Sequence, residues 1–151
     1  MISRIFPLSA GSSFDFALIC IYNGIKWHCV QTQCHSYLGE NSLHITFHYS
    51  DGALIICLEG ELDHHSAALT LRETRKILDR FMPKSCGMDL SRLTFMDSSG
   101  IAFILRVRQI LRSYGASFRI LDPAEQPDRV IVASGLGRLV SVKHTESEST
   151  V

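Results

Sequence analysis

The sharpest change of pattern in this 151-residue chain falls within Asp89-Leu-Ser-Arg-Leu-Thr-Phe-Met-Asp-Ser-Ser-Gly100. The short apolar run Cys86–Leu90 leads into this stretch and predicts a strand. From Ser98 onward, apolar residues recur every three or four positions, which predicts an amphipathic helix over about 99–114 that Gly115 ends. A strand that passes into a helix in this way is typical of α/β folds.

The segment before this stretch contains the same kinds of element. Residues 43–49 alternate between apolar and polar side chains, which predicts a half-buried strand. The pair Asp51-Gly52 predicts a tight turn, after which Ala53–Leu58 is expected to return antiparallel as a fully buried strand. A helical period then follows over about 65–82.

The ends of the predicted helices carry recognisable signals. Asp63 or Ser66 would cap the first helix. After a predicted strand at Ser117–Leu121, Asp122-Pro123 is expected to begin a third helix over about 123–134, with the proline in its first turn. Gly135 or Gly137 would end that helix. We therefore expect a mixed β-sheet with helices packed on one face.

The chain length fits one domain with extensions. Residues 1–42 have no sustained period and are expected to be a poorly defined N-terminal extension, whereas 43–142 form the domain and 143–151 a polar tail. We expect a truncation near Gly39 to fold. The natural start could also lie at Val30 or Leu38, since bacterial initiation can use codons for valine or leucine.

Composition excludes several classes of function. Lys plus Arg equals Asp plus Glu at 15 each, so the balance does not favour direct binding of nucleic acid. The apolar stretch Phe14–Tyr22 contains Asp15 and is shorter than the ~20 residues of a membrane span, and no signal peptide is recognisable. An odd number of cysteines, five, suits a reducing cytoplasm.

Three segments resemble the STAS domain of bacterial anti-sigma factor antagonists of the sporulation and stress type. They are Gly60-Glu-Leu-Asp-His-His-Ser-Ala67, the stretch Asp89–Gly100, and Ser134-Gly-Leu-Gly-Arg-Leu139. The resemblance covers about residues 43–142 and implies a STAS-like α/β domain. The chain departs from the family in its long N-terminal extension and in lacking the final helix of the sporulation-type proteins.

The resemblance also implies a function. Such proteins bind an anti-sigma factor that is a serine kinase, so that the sigma factor is released. The kinase phosphorylates the serine before the glycine, here Ser99, and a metal-dependent serine phosphatase reverses the reaction. The residues implied in partner binding are Asp63, His64, His65, Asp97, Ser98, Ser99 and Gly100. No enzymatic activity, cofactor or metal is implied.

The residues themselves are compatible with this switch. A serine at the opening of a helix is expected to be exposed, and the free backbone amides and the helix dipole there tolerate a phosphate. The added charge would disturb any partner packed over it. A simpler interpretation is that Ser98 and Ser99 only cap the helix, and that Asp63 and Asp97 are cap or turn residues.

Other functions are weighed against this one. A hydrolase is disfavoured because the chain lacks a Gly-x-Ser-x-Gly elbow, and a nucleotide site because it lacks a phosphate-binding loop. His28-Cys29 with Cys34-His35 could supply four zinc ligands, but the spacing matches no common zinc finger. A STAS scaffold in a stress-sensing assembly, or a regulatory subunit attached to a transporter, remains the main alternative.

Overall fold

The computed structural model describes residues 19–22, 25–28, 35–36 and 43–145. The strands there are β1 (Ile19–Tyr22), β2 (Ile25–His28), β3 (His35–Ser36), β4 (His44–Ser50), β5 (Ala53–Leu62), β6 (Ser85–Met96), β7 (Ser117–Leu121) and β8 (Ser141–Lys143). The helices are α1 (His64–Phe81), α2 (Ser98–Ser113), α3 (Glu125–Ser134) and a 3₁₀ turn at Leu136–Arg138.

Six of these strands form one mixed sheet in the order β3-β4-β5-β6-β7-β8. The pairs β3–β4 and β4–β5 are antiparallel, and the remaining three pairs are parallel. Strands β1 and β2 pair with each other in a separate antiparallel hairpin. The mixed sheet predicted from the sequence is confirmed.

The helices lie on one face of the sheet because of the strand order. Each parallel connection runs from one strand to its next neighbour, β5 to β6 through α1 and β6 to β7 through α2. Right-handed crossovers that advance in the same direction place their helices on the same side. The prediction of helices on one face is therefore confirmed. Among the described residues, the other face of the sheet carries no helix.

This one-sided cover explains a difference from the sequence prediction. In β5, Leu54, Ile56 and Leu58 are buried against the helices, whereas the residues between them, at 53, 55 and 57, are only half-buried. The expectation of a fully buried strand at Ala53–Leu58 is therefore wrong. Its antiparallel return from β4 is confirmed, with Asp51 and Gly52 at φ of 50° and 82° in the turn.

The third helix begins later than predicted. Asp122 has a φ of 44° and Pro123 precedes the helix, which begins at Glu125 after Ala124. The Asp122 carboxylate instead accepts hydrogen bonds from the amide and the hydroxyl of Thr145. The proline inside the first turn is Pro127. The predicted end is confirmed at Gly135, whose φ is 72°.

The predicted first and second helices are confirmed to within one residue at each end. Strand β6 is much longer than the predicted run Cys86–Leu90, because it continues through the polar residues that follow as far as Met96. None of the helices in the described part of the chain is long and apolar enough to cross a membrane.

The predicted domain limits at residues 43 and 142 stay a prediction, although one described strand lies before the first limit and another crosses the second. Strand β3 lies upstream of residue 43 and pairs His35 with Ile45, and β8 ends at Lys143. The alternative starts at Val30 and Leu38, and the cysteines of the suggested zinc cluster, Cys29 and Cys34, lie outside the described residues.

We expect Ile56→Ala to lower the free energy of unfolding by about 2–5 kcal/mol, because it leaves a cavity between sheet and helices. Ile56 is fully buried, whereas Val132 on α3 is 72% exposed. The control Val132→Ala should change the free energy of unfolding by less than about 0.5 kcal/mol. Urea unfolding followed by circular dichroism measures both. Equal losses in the two variants would contradict this one-sided core.

Candidate functional site

The carboxyl ends of two neighbouring parallel strands bring the predicted site residues together. Leu62 at the end of β5 pairs with Met96 at the end of β6, and the amide of Asp97 donates to the carbonyl of Leu62 at 3.5 Å. Helices α1 and α2 therefore begin side by side. We call residues Asp63–Ser66 together with Asp97–Gly100 the helix-start corner.

Asp63 caps α1 and closes a reciprocal pair of hydrogen bonds. Its Oδ1 accepts from the amides of His65 at 3.0 Å and Ser66 at 2.8 Å. In return, the Ser66 hydroxyl accepts from the Asp63 amide at 2.9 Å. The backbone amide of Ser66, with smaller contributions from the Ser66 hydroxyl and His65, holds the pKa of Asp63 below its ordinary value. Asp63 is therefore held as a carboxylate at neutral pH.

Asp97 caps α2 in the same manner. Its Oδ1 accepts from the amides of Ser99 at 2.8 Å and Gly100 at 3.4 Å. The suggestion that Ser98 and Ser99 only cap this helix is therefore wrong, since the aspartate before them does so. Neither serine hydroxyl has a hydrogen-bond partner among the residues that the structure describes.

The two serines differ in exposure. Ser98, the first residue of α2, is exposed, whereas Ser99 is half-buried. The expectation that Ser99 is an exposed serine is therefore only partly met. The amides of Ser99 and Gly100 are already bonded to Asp97, so fewer backbone donors are free for a phosphate than the sequence suggested.

Gly100 lies against the end of β6 so closely that a side chain does not fit. A β-carbon there would lie 2.2 Å from Cγ and 2.8 Å from Sδ of Met96, and 3.3 Å from Cδ2 of Leu62. Met96 and Leu62 are both fully buried, so neither can move aside freely. The glycine thus allows the first turn of α2 to pack directly on the ends of both strands.

His64 and His65 form the exposed surface beside Asp63. Their rings lie edge to face with centroids 5.9 Å apart. The described residues contain no group of three or more His, Cys, Asp or Glu side chains arranged to hold a metal ion. These histidines therefore contribute aromatic and polar surface next to the first turn of α1.

Sequence reasoning missed Gln126 of α3, which contacts Met96, the residue directly before the corner. Its Oε1 accepts from the amide of Met96 at 2.8 Å, and its Nε2 donates to the carbonyl of Met96 at 3.0 Å. Gln126 is 30 residues away from Met96 along the chain, and nothing in the period of α3 marks it out. Only the three-dimensional structure reveals this contact.

A groove of about 210 Å³ lies elsewhere, between β4 and the C-terminal half of α1. Ile45 and Phe47 line one side, and Ile77 and Phe81 the other. The helix-start corner is at the opposite end of α1, on the outer surface of the molecule. Three of its side chains, those of His64, His65 and Ser98, are exposed.

Comparisons with known proteins find similar sequences. The family model described as the STAS domain matches residues 44–149. A protein of Paenibacillus polymyxa named anti-sigma F factor antagonist is 29% identical over 105 residues, which cover 70% of this chain and 90% of the relative.

Solved structures show the same fold. The anti-sigma factor antagonist SpoIIAA in its unphosphorylated form has a TM-score of 0.56 and 23% identity, and the match covers 78% of this chain and 90% of that one. The Bacillus cell fate determinant SpoIIAA in its phosphorylated form has a TM-score of 0.50 and 23% identity, with 78% and 94% covered.

We expect Gly100→Ala to destabilise the protein, although alanine alone favours a helix by about 1 kcal/mol over glycine. Overpacking against Met96 costs about 1–3 kcal/mol and should outweigh that gain. Gly137 is the control, because a β-carbon added there would meet no atom within 4 Å beyond the adjacent backbone. Thermal unfolding should show a lower midpoint for Gly100→Ala only. A similar midpoint shift in Gly137→Ala would contradict this packing argument.

The cap at Asp63 predicts a pH dependence. Because its pKa is lower in the folded protein than the ordinary 3.8, the charge stabilises the fold above that pH, and this stabilisation is lost as the pH falls through the lowered pKa. Asp63→Asn keeps an acceptor oxygen but no charge. The melting temperature of the wild type should exceed that of the variant near neutral pH, and the gap should close below about pH 3.8. A gap independent of pH would refute this.

Proposed function

The chain belongs to the STAS domain family, and on that basis we propose that it is an anti-sigma factor antagonist that binds its partner through the helix-start corner. The partner is an anti-sigma factor that is also a serine kinase, and binding releases the sigma factor. The name of the Paenibacillus polymyxa relative supports this role.

One observation carries the proposal more than any other. At the start of α2 the capping bonds are made by Asp97, so the hydroxyls of Ser98 and Ser99 are left for other chemistry. They lie at the same edge of the sheet as the exposed His64 and His65, on a surface formed by the starts of two helices. Such a surface offers a kinase both a docking area and a phosphate acceptor.

The acceptor is one of the two serines. The family resemblance assigns it to Ser99, and that assignment stays a prediction. The exposure of the side chains favours Ser98, because a kinase must surround the hydroxyl that it phosphorylates and Ser99 is half-buried. The two assignments predict different results for single alanine variants, because phosphorylation is lost in Ser98→Ala under one and in Ser99→Ala under the other.

Phosphorylation is expected to switch binding off. A phosphate adds about −1.5 to −2 charges and three acceptor oxygens at the middle of the surface that the partner covers. Burying that charge without a matching cation is costly, and the Asp97 carboxylate beside it adds repulsion. A partner that fits the unmodified corner should therefore release the phosphorylated one.

The chemistry of the cycle belongs to the partners. The kinase forms the phosphate ester and a metal-dependent serine phosphatase hydrolyses it, so the chain itself acts as a non-enzymatic regulator in the bacterial cytoplasm. The chain supplies the serine and the surface around it. It needs no cofactor for this role.

The main alternative is a STAS scaffold or a regulatory subunit attached to a transporter. An affinity pull-down with the full chain distinguishes these roles. Recovery of a kinase-type anti-sigma factor supports the proposal, whereas stoichiometric recovery of a transporter ATPase or a scaffold protein would contradict it.

We call Ser98 and Ser99 the serine pair. We expect replacement of either serine by aspartate to weaken binding to the anti-sigma kinase by about tenfold or more, because it places a buried carboxylate in the interface. Ser98→Asp and Ser99→Asp test the two positions, and Ser98→Ala and Ser99→Ala should still bind. Ser117→Asp is the control, since this exposed serine begins β7 and lies beside the start of β6, at the amino ends of the parallel strands and away from the corner. Isothermal titration calorimetry gives the affinities. Unchanged affinity in both corner variants would exclude this surface.

Incubation with the kinase and ATP, followed by mass spectrometry, locates the phosphate. One phosphate should appear in the pair, and only one of the two alanine variants should abolish it. Loss in Ser98→Ala identifies Ser98 as the acceptor, and loss in Ser99→Ala identifies Ser99. Phosphate located only outside the pair, for example at Ser91, would overturn the proposed switch.

A further inference from the structure

Among the described residues, the second half of β6 has no strand on the side where its first half pairs with β7, although β5 continues along its other side. Pairing with β7 ends at Asp89↔Leu121, and β6 continues to Met96. Along this side the segment that leads into α3 replaces a strand: the amide of Ala124 donates to the carbonyl of Leu90 at 3.2 Å. The Gln126 side chain then binds the backbone of Met96.

The Gln126 amide supplies what a neighbouring strand would otherwise supply. A primary amide has the same donor and acceptor as a peptide group. Here the Met96 amide donates to Oε1 of Gln126 at 2.8 Å, and Nε2 of Gln126 donates to the Met96 carbonyl at 3.0 Å. The Met96 side chain is fully buried, and backbone groups in such a place are costly to leave unpaired. The two bonds therefore fix the position of Met96.

Met96 in turn controls the geometry of the helix-start corner. It directly precedes the cap Asp97, whose carboxylate holds the amides of Ser99 and Gly100. Its side chain also lies under Gly100, with no space for a β-carbon between them. A displacement of the Met96 backbone would therefore move the cap and the first turn of α2 together.

We infer that Gln126 is a positioning residue for partner recognition, which holds Met96 and thereby sets the placement of the serine pair. The inference rests on the proposed function of the corner. It also connects α3 to that surface through the two hydrogen bonds to Met96. Gln126 acts through the backbone and does not itself need to touch the partner.

The first test uses the free protein, so that it does not depend on any partner. In Gln126→Ala, amide hydrogen exchange measured by NMR should accelerate about tenfold at Ser99 and Gly100, the size expected for losing a pair of hydrogen bonds. The amide of Leu78 in α1 reports global unfolding and should accelerate by as much as the overall stability falls. Val132→Ala on the same helix is the control and should leave all three rates unchanged. Acceleration at Leu78 without acceleration at Ser99 and Gly100 would show a merely structural role and overturn the inference.

A charged variant of nearly the same shape gives a second readout. Ionised glutamate in Gln126→Glu lacks the donor and faces the Met96 carbonyl with an oxygen, whereas the protonated acid donates again. The exchange rates, corrected for the intrinsic effect of pH, should resemble those of Gln126→Ala near pH 7 and return toward wild type at or below about pH 4–5. Gln126→Ala should not recover. Absence of recovery in the glutamate variant would contradict the hydrogen-bonding role.

Kinase binding then separates this inference from the proposed function. Gln126→Ala should bind the kinase about tenfold more weakly at a temperature where it is fully folded, while Val132→Ala binds as the wild type does. Unchanged affinity despite altered exchange would overturn the role in recognition. If wild type itself binds no anti-sigma kinase, the proposed function fails, and the exchange data still decide whether Gln126 positions the corner.

Discussion

The parallel pairing of β5 with β6 is the constraint on which the site depends. A helix cap follows each strand directly, Asp63 after β5 and Asp97 after β6. Because Leu62 and Met96 lie opposite each other at the ends of these strands, the two caps are neighbours. Helices packed on one face of a sheet begin at the carboxyl edge of their preceding strands. A short segment at each of two distant places in the sequence thus forms one surface.

The division of labour inside Asp97-Ser98-Ser99-Gly100 follows from the physical demands of a helix start. The first turn needs an acceptor for its free amides, and the aspartate provides it. Close contact with Met96 needs a residue without a side chain, and the glycine provides that. The two serines between them meet neither demand, so their hydroxyls can be modified without removing a capping bond.

The sequence predicts well what local chemistry determines. The turn at Asp51-Gly52, the strand Ser117–Leu121 and the helix end at Gly135 all follow from residues within a few positions of each other. It predicts less well what the surroundings determine. Whether Ile55 is fully buried depends on which face of the sheet receives helices, and the start of α3 depends on Asp122 bonding to Thr145.

The contact between Gln126 and Met96 explains why part of the site was beyond sequence reasoning. A glutamine on a short helix has many possible partners, and the backbone of a residue 30 positions away becomes one of them only because β7 ends before β6 does. On the side away from β5, the end of β6 needs a donor and an acceptor at that point, and α3 is the element that passes it. The hydrogen bonds needed by the amide and the carbonyl of Met96 therefore connect the third helix to the surface formed by the first two.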